Sequence, residues 1–260
     1  MLLAFDAGNS TVSVGVFSIE SGELLESFVL TADKTKSSDE FLVSICSMLA
    51  LKGIDRTLIK AAVISSVAPN LTKSIKQAAH NIVGDDVKTV GPGLKTGFPI
   101  KIDNPSELGS DIVANVHAAT ELAKEKDKGV IIIDMGTATT VSAVNRKGEY
   151  VGSSIAVGLQ VSLESLRTST ELLPMITPDA PRSVIGKNSS EAVRSGVVLG
   201  AAYMLNGFID AYEKELSCEC EVIVTGGYAD FIYPLINHKA SKELHLTLKG
   251  LYGIYKLNTK

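Results

Sequence analysis

LLAFDAGNSTVSVGVF, residues 2–17, runs from an apolar stretch into one carboxylate, Asp6, then through the small residues Gly8, Asn9, Ser10 and Thr11 before turning apolar again. Gly and Asn tolerate positive φ and Asp caps its own backbone, so one such segment alone reads as an ordinary hairpin. A second copy changes that reading. Residues 130–144, VIIIDMGTATTVSAV, repeat the apolar run, the Asp, the one-residue gap, the Gly and the hydroxyl residues in the same order. Two strand-turn-strand units sharing Asp-x-Gly-[Asn/Thr]-x-Thr imply a duplicated architecture.

A chain of 260 residues holds one large domain or two modest ones, and the duplication favours two. Hydrophobic residues at 45% and charged residues at 21% place it among globular chains. A net charge of -4 with a pI near 5.6 provides no basic surface for nucleic acid or anionic lipid, so both partners are set aside. Cys46, Cys218 and Cys220 are too few for a disulfide framework, and Cys218-Glu219-Cys220 lacks zinc-site spacing, which suits a reducing cytoplasm. The start of the chain shows no basic leader, and no apolar run approaches the roughly 18 residues of a membrane span. The histidines, His80, His117, His238 and His245, show no i, i+4 pairing and are expected in surface or capping roles.

Beyond the first turn, Ser21-Gly22 marks a second turn and a third strand ends near Thr31, an antiparallel meander. Helical spacing over 41–51 and 71–82 brackets the apolar run AAVISSV (61–67), the signature of an α/β layer. GPGLKTGFPIKIDNP (91–105) is a shaped loop in which Asp103-Asn104-Pro105 starts a turn. A helix is expected over 108–124, with Lys124 and Lys126 suiting its C-terminal dipole. The second half repeats the scheme: a turn at 145–148, a third strand EYVGSSIAV, a helix over 159–166, a Pro-containing loop at 174–182, a long amphipathic helix over 190–215 and the strand EVIVTGG (221–227). The two halves are expected to pack with a cleft between them. The 190–215 helix carries Ala192, Val193, Val197, Leu199, Gly200, Ala201 and Met204, and periodicity alone leaves it open whether they face a partner copy or the core.

Tight turns rich in Gly, Ser and Thr offer backbone N–H groups and hydroxyls to phosphate oxygens, and an Asp at the mouth can hold a cation there. Asp6-x-Gly8-Asn9, Asp134-x-Gly136-Thr137-x-Thr139-Thr140 and Thr225-Gly226-Gly227 resemble the two phosphate loops and the adenosine loop of the acetate and sugar kinase, Hsp70 and actin superfamily. Within it, GPGLKTGFPIKIDNPSELGSD (91–111), SIAVGLQVSLESL (154–166), LLP (172–174) and GKNSSEAVRSG (186–196) resemble, in order, the type III pantothenate kinase family. The resemblance implies an α/β fold of two actin-like (ribonuclease H-like) halves, 1–115 with the first phosphate loop and 116–260 with the second and the adenosine loop. It also implies ATP-dependent phosphorylation of pantothenate, the first step toward coenzyme A, in a homodimer using Mg²⁺ and K⁺ or NH₄⁺.

Residue by residue, the resemblance places the ATP phosphates on Asp6, Ala7, Gly8, Asn9, Ser10, Thr11, Val12 and Ser13, with Asp6 near Mg²⁺. Thr137, Gly226 and Gly227 also contact ATP, and Asp134 coordinates the monovalent cation. Asp111 stands at the catalytic base, within the substrate-contacting stretch Gly109, Ser110, Asp111 and Ile112; Ser189 stands where the family has a pantothenate-contacting Thr. Helix capping is the other reading of Asp111, and a solvated loop lysine the other reading of Lys95. Two substrate-contacting positions depart from the family: Ile102 replaces a Tyr and Ile112 an Arg. A bidentate Arg on a carboxylate contributes on the order of 1.5–3 kcal/mol, which Ile cannot. Lys95 or Lys101 could compensate. The alternatives are a paralogue acting on another small alcohol and a nucleotide-binding regulatory protein without turnover.

Overall fold

The computed structural model describes residues 1–125 and 127–259, so Lys126 lies outside the described residues. The chain divides into two compact units, the first Met1–Gly97, Asn104–Ala118 and Leu246–Lys260, the second Phe98–Asp103 and Ala119–His245. This division differs from a single cut after residue 115 by more than the shift of that boundary to Ala118. The segment Phe98–Asp103 joins the second unit, where Ile100 bridges Tyr150, and the C-terminal residues join the first.

In the first unit, β1 (Leu2–Ala7), β2 (Thr11–Phe17) and β3 (Leu24–Thr31) form the expected meander, and β4 (Ala61–Ser66) and β5 (Val87–Thr89) add in parallel, giving the order β3-β2-β1-β4-β5. The central strands β1 and β4 are covered on both faces, which is why their sequences read as unbroken apolar runs. Helix α1 (Ser38–Leu51) starts from Ser37, which forms a capping box with Glu40, and α2 (Pro69–Val83) starts at a proline that lacks the N–H its first turn would leave unpaired. Phe41 and Ile45 of α1 and Leu71 and Ile75 of α2 pack on Phe5, Val14 and Ile64 of the sheet. Helix α3 (Ser110–Leu122) follows a 3₁₀ turn at Pro105–Glu107, a shorter start than the expected residue 108.

The second unit repeats the topology. Strands β6 (Gly129–Met135), β7 (Ala138–Val144) and β8 (Tyr150–Val157) form a meander, and β9 (Cys220–Thr225) and β10 (Ala240–Lys242) add in parallel, giving β8-β7-β6-β9-β10. Register shifts occur at matching places, between Val16 and Phe17 in one sheet and between Ala143 and Val144 in the other. Helix α4 (Leu159–Ser169) is followed by α5 (Ser189–Arg194), a π-helical turn (Ser195–Leu199) and α6 (Gly200–Leu216). This 28-residue stretch, expected as one helix over 190–215, reaches a mean hydropathy of 1.3, long and apolar enough by length and composition to cross a membrane. Its Val198, Ala202, Leu205 and Ile209 are buried on the sheet with Ile131, Ile133 and Val224, which is how a core helix acquires that composition.

After the short α7 (Ala229–Ile232), the chain ends in α8 (Leu246–Leu257), which packs on β1 and β4. Its Leu246, Leu248, Leu251, Ile254 and Tyr255 are buried.

Candidate active site

The two Asp-containing turns are built alike. Asp6 is the penultimate residue of β1, half-buried, with Ser13 of β2 opposite it on one side and Ser65 of β4 on the other. Asp134 is the penultimate residue of β6, with Thr140 of β7 and Thr225 of β9 on its two sides. Residues opposite one another on neighbouring strands share a sheet face. Each carboxylate therefore has a hydroxyl residue on both sides, an all-oxygen donor set that suits a hard cation. Ser65 and Thr225 are buried; sequence reasoning passed over Ser65 and read Thr225 only as the start of the glycine turn, because their partnership with the aspartates exists only in the parallel register. Among the described residues no cluster of three or more His, Cys, Asp or Glu could hold a metal ion.

The turns differ by one residue. Gly8 N–H donates to the Thr11 carbonyl at 2.9 Å, whereas Gly136 N–H donates to the Ala138 carbonyl at 3.0 Å, one position earlier. Asn9, Ser10 and Thr11 are exposed, as are Thr137 and Ala138, so each turn presents its polar groups outward from a buried strand pair. The second turn is backed by two glycines. A side chain on Gly158 would collide with the Gly136 and Thr137 carbonyls, and one on Gly226, at φ +93°, would lie 2.5 Å from both Asp134 Oδ1 and the Met135 nitrogen. Gly226 thus brings the Thr225-Gly226-Gly227 turn against Asp134, while Gly227 has open space around it.

Asp111 lies in the first turn of α3. The preceding Ser110 ties that turn to the sheet: its Oγ lies 2.9 Å from Ser65 Oγ and accepts the Ser66 N–H at 2.9 Å. Ser65 is the register partner of Asp6, so Asp6 and Asp111 belong to one constellation at the β1 and β4 ends of the first unit. The Asp111 carboxylate accepts the Ile112 N–H at 2.8 Å and covers Gly109 so closely that a side chain there would strike Oδ1. Burial raises its pKa above the ordinary carboxylate value, against the opposing pull of the backbone N–H groups of Ile112 and Asp111 itself. A half-buried carboxylate of raised pKa is a candidate for a general base.

Comparison with known proteins decides the class. The family model described as type III pantothenate kinase matches residues 2–211. A type III pantothenate kinase from Geotalea uraniireducens is 36% identical over 258 residues, covering 99% of both chains. This chain belongs to the type III pantothenate kinase family. Among solved structures, a conserved protein described as a Baf family transcriptional activator from Campylobacter jejuni aligns with a TM-score of 0.63 at 18% identity over 98% of each chain. Component A of (R)-2-hydroxyglutaryl-CoA dehydratase from Acidaminococcus fermentans aligns with a TM-score of 0.56 at 12% identity, over 100% of this chain and 99% of that one. These likenesses support the actin-like fold alone.

The positions that the sequence resemblance assigns to the acceptor are spread along the chain. Ile112 is 9% exposed, packed away from solvent; Ile102 is half-buried in the Phe98–Asp103 segment of the second unit. Ser189 is exposed in the first turn of α5, after Asn188, whose side chain caps that helix through the Glu191 N–H. Lys101 lies 3.9 Å from Glu149 in the second unit.

Proposed function

We propose that this chain transfers the γ-phosphoryl group of ATP to the primary hydroxyl of pantothenate, yielding 4'-phosphopantothenate and ADP. The observation that carries this reading is the duplicated aspartate flanked by hydroxyls, one copy of which is tied through Ser65 and Ser110 to the half-buried Asp111, in a chain of this family. The exposed backbone and hydroxyl groups of Asn9, Ser10 and Thr11 receive the phosphates; Ala7, Gly8, Val12 and Ser13 complete that turn, and Thr137, Gly226 and Gly227 contact the nucleotide. Asp111 orients the acceptor hydroxyl and accepts its proton as the new O–P bond forms and the β–γ bridge breaks.

The donor sets fit Mg²⁺ at Asp6 and K⁺ or NH₄⁺ at Asp134, because both are carboxylate and hydroxyl oxygens. Such cations supply neutralisation of phosphate charge. On the acceptor side, the family resemblance assigns Gly109, Ser110, Asp111, Ile112, Ile102 and Ser189 to pantothenate; Ile112 is packed away from solvent and supplies no cation, a role left to Lys95 or Lys101. A homodimer is supported by the second unit's exposed apolar residues: Ile155 and Val157 on the edge strand β8, Leu172 and Met175, and Val184 and Ile185. The cytoplasm is the compartment that the free thiols suit.

A coupled assay with Mg-ATP and K⁺, with and without millimolar pantothenate, tests the reading: ADP release dependent on pantothenate, with phosphopantothenate found by mass spectrometry, is expected. ATP binding without product would overturn it in favour of a binding protein, and ADP release only with other alcohols would reassign the substrate.

A further inference from the structure

His117 is buried, titratable and absent from the mechanism above. It lies six residues after Asp111 on α3, and its Nδ1 is 2.9 Å from the Thr96 carbonyl. A carbonyl only accepts, so Nδ1 carries the hydrogen. The imidazole is enclosed by two glycines of the first unit. A side chain on Gly97, at φ +89°, would sit 2.7 Å from Nδ1, and one on Gly253 of α8 would strike Nε2. Only chain without side chains at both positions lets the ring enter.

A second hold acts on the neighbouring residue. The Lys95 N–H donates to Asn258 Oδ1 at 2.9 Å, and Asn258 Nδ2 donates back to the Lys95 carbonyl at 2.9 Å. Helix α8 is itself fixed to α3 along the same line, by Thr247 Oγ1 donating to Asn115 Oδ1 at 2.7 Å and by Gly250 lying directly on the Ala114 carbonyl. The helix that carries Asp111 and the loop 91–97 are thereby referenced to one another directly through the imidazole and indirectly through Asn258 and α8.

We infer that His117 is a positioning residue: with Asn258 it clamps the loop GPGLKTG against α3 and so sets the acceptor side relative to Asp111. The inference rests on reading residues 91–111 as the acceptor side of a pantothenate kinase. It assigns no chemistry to the imidazole, which touches no reacting atom.

The test compares His117→Leu, which removes the donor, with His117→Asn, whose amide places an N–H near the Nδ1 position. In the Leu variant the KM for pantothenate is expected to rise about tenfold, the scale of one lost buried hydrogen bond, with the KM for ATP unchanged. The Asn variant is expected to recover most of the loss, and amide hydrogen exchange over residues 91–97 to quicken in the Leu variant only. A folded Leu variant with unchanged pantothenate KM and an equally protected loop would overturn the inference. So would an equal rise in both KM values that Asn does not rescue, the mark of a merely structural role. If the Leu variant does not fold, Asn258→Leu releases the same loop at its other hold, and the same two readouts decide. If the unaltered protein turns over no pantothenate, the functional reading falls, while hydrogen exchange of the loop still decides the clamp.

Discussion

Asp111 carries a raised pKa because burial disfavours its charge, and that has opposite consequences for catalysis and stability. As a base it must be ionised, so kcat/KM is expected to fall with a single protonation above the ordinary carboxylate range near 3.9. For stability the folded state holds the proton more tightly than the unfolded state, so the stabilising contribution is present below the unfolded pKa and is lost as pH rises through the raised one. Asp111→Asn should therefore cost about 10²–10⁴ in kcat. Its melting temperature at neutral pH should match or exceed that of the unaltered protein. Undiminished turnover in that variant would sink the assignment. At Gly226 the argument is steric: φ is +93°, and a methyl group would press on Asp134 Oδ1 and on the Met135 nitrogen at 2.5 Å. Gly226→Ala is expected to lose about 1–3 kcal/mol from backbone strain and to weaken ATP binding, whereas Gly227→Ala, with no described protein atom near the added methyl, should leave stability unchanged. Chemical denaturation and nucleotide titration of the pair check this.

Among the elements, the first turn of α3 is tied to the sheet by one hydroxyl. Ser110 Oγ meets both Ser65 Oγ and the Ser66 N–H at the end of β4, so Ser110→Ala leaves a backbone donor and a buried hydroxyl short of a partner. A loss of about 1–3 kcal/mol is expected. A fall in kcat at constant ATP affinity should accompany it, because the first turn of α3 carries Asp111; equilibrium denaturation with steady-state kinetics separates the two effects. The meanders and most helices were legible in the sequence because period 2 and period 3.6 patterns survive in it over 2–31, 41–51 and 71–82. The short strands β5 and β10 were not, since three residues carry no periodicity. Helix α8 shows the spacing 248, 251, 254 and 255 in its sequence.

For the whole molecule, the exposed face of β8 makes an oligomer prediction. Ser153, Ile155 and Val157 alternate outward on an edge strand while Ser154, on the other face, accepts the Tyr212 hydroxyl of α6 at 2.7 Å. Edge strands of monomers are ordinarily blunted with charge. Ile155→Lys with Val157→Lys should convert a dimer to a folded monomer in sedimentation equilibrium, with unchanged far-ultraviolet circular dichroism; a dimer that persists would move the interface elsewhere. Consecutive residues alone carry the duplication, the Asp-containing strand-turn-strand units at Asp6 and Asp134 and the segment around Asp111 that resembles the family, so these were readable without the fold. Only the tertiary structure decided that Ser65 and Thr225 flank those aspartates, that Ser110 joins Asp111 to the sheet, and that the last helix returns to the first unit and encloses His117. These pairings link residues 45 to more than 130 positions apart, and register and helix packing, which no local pattern encodes, bring them into contact.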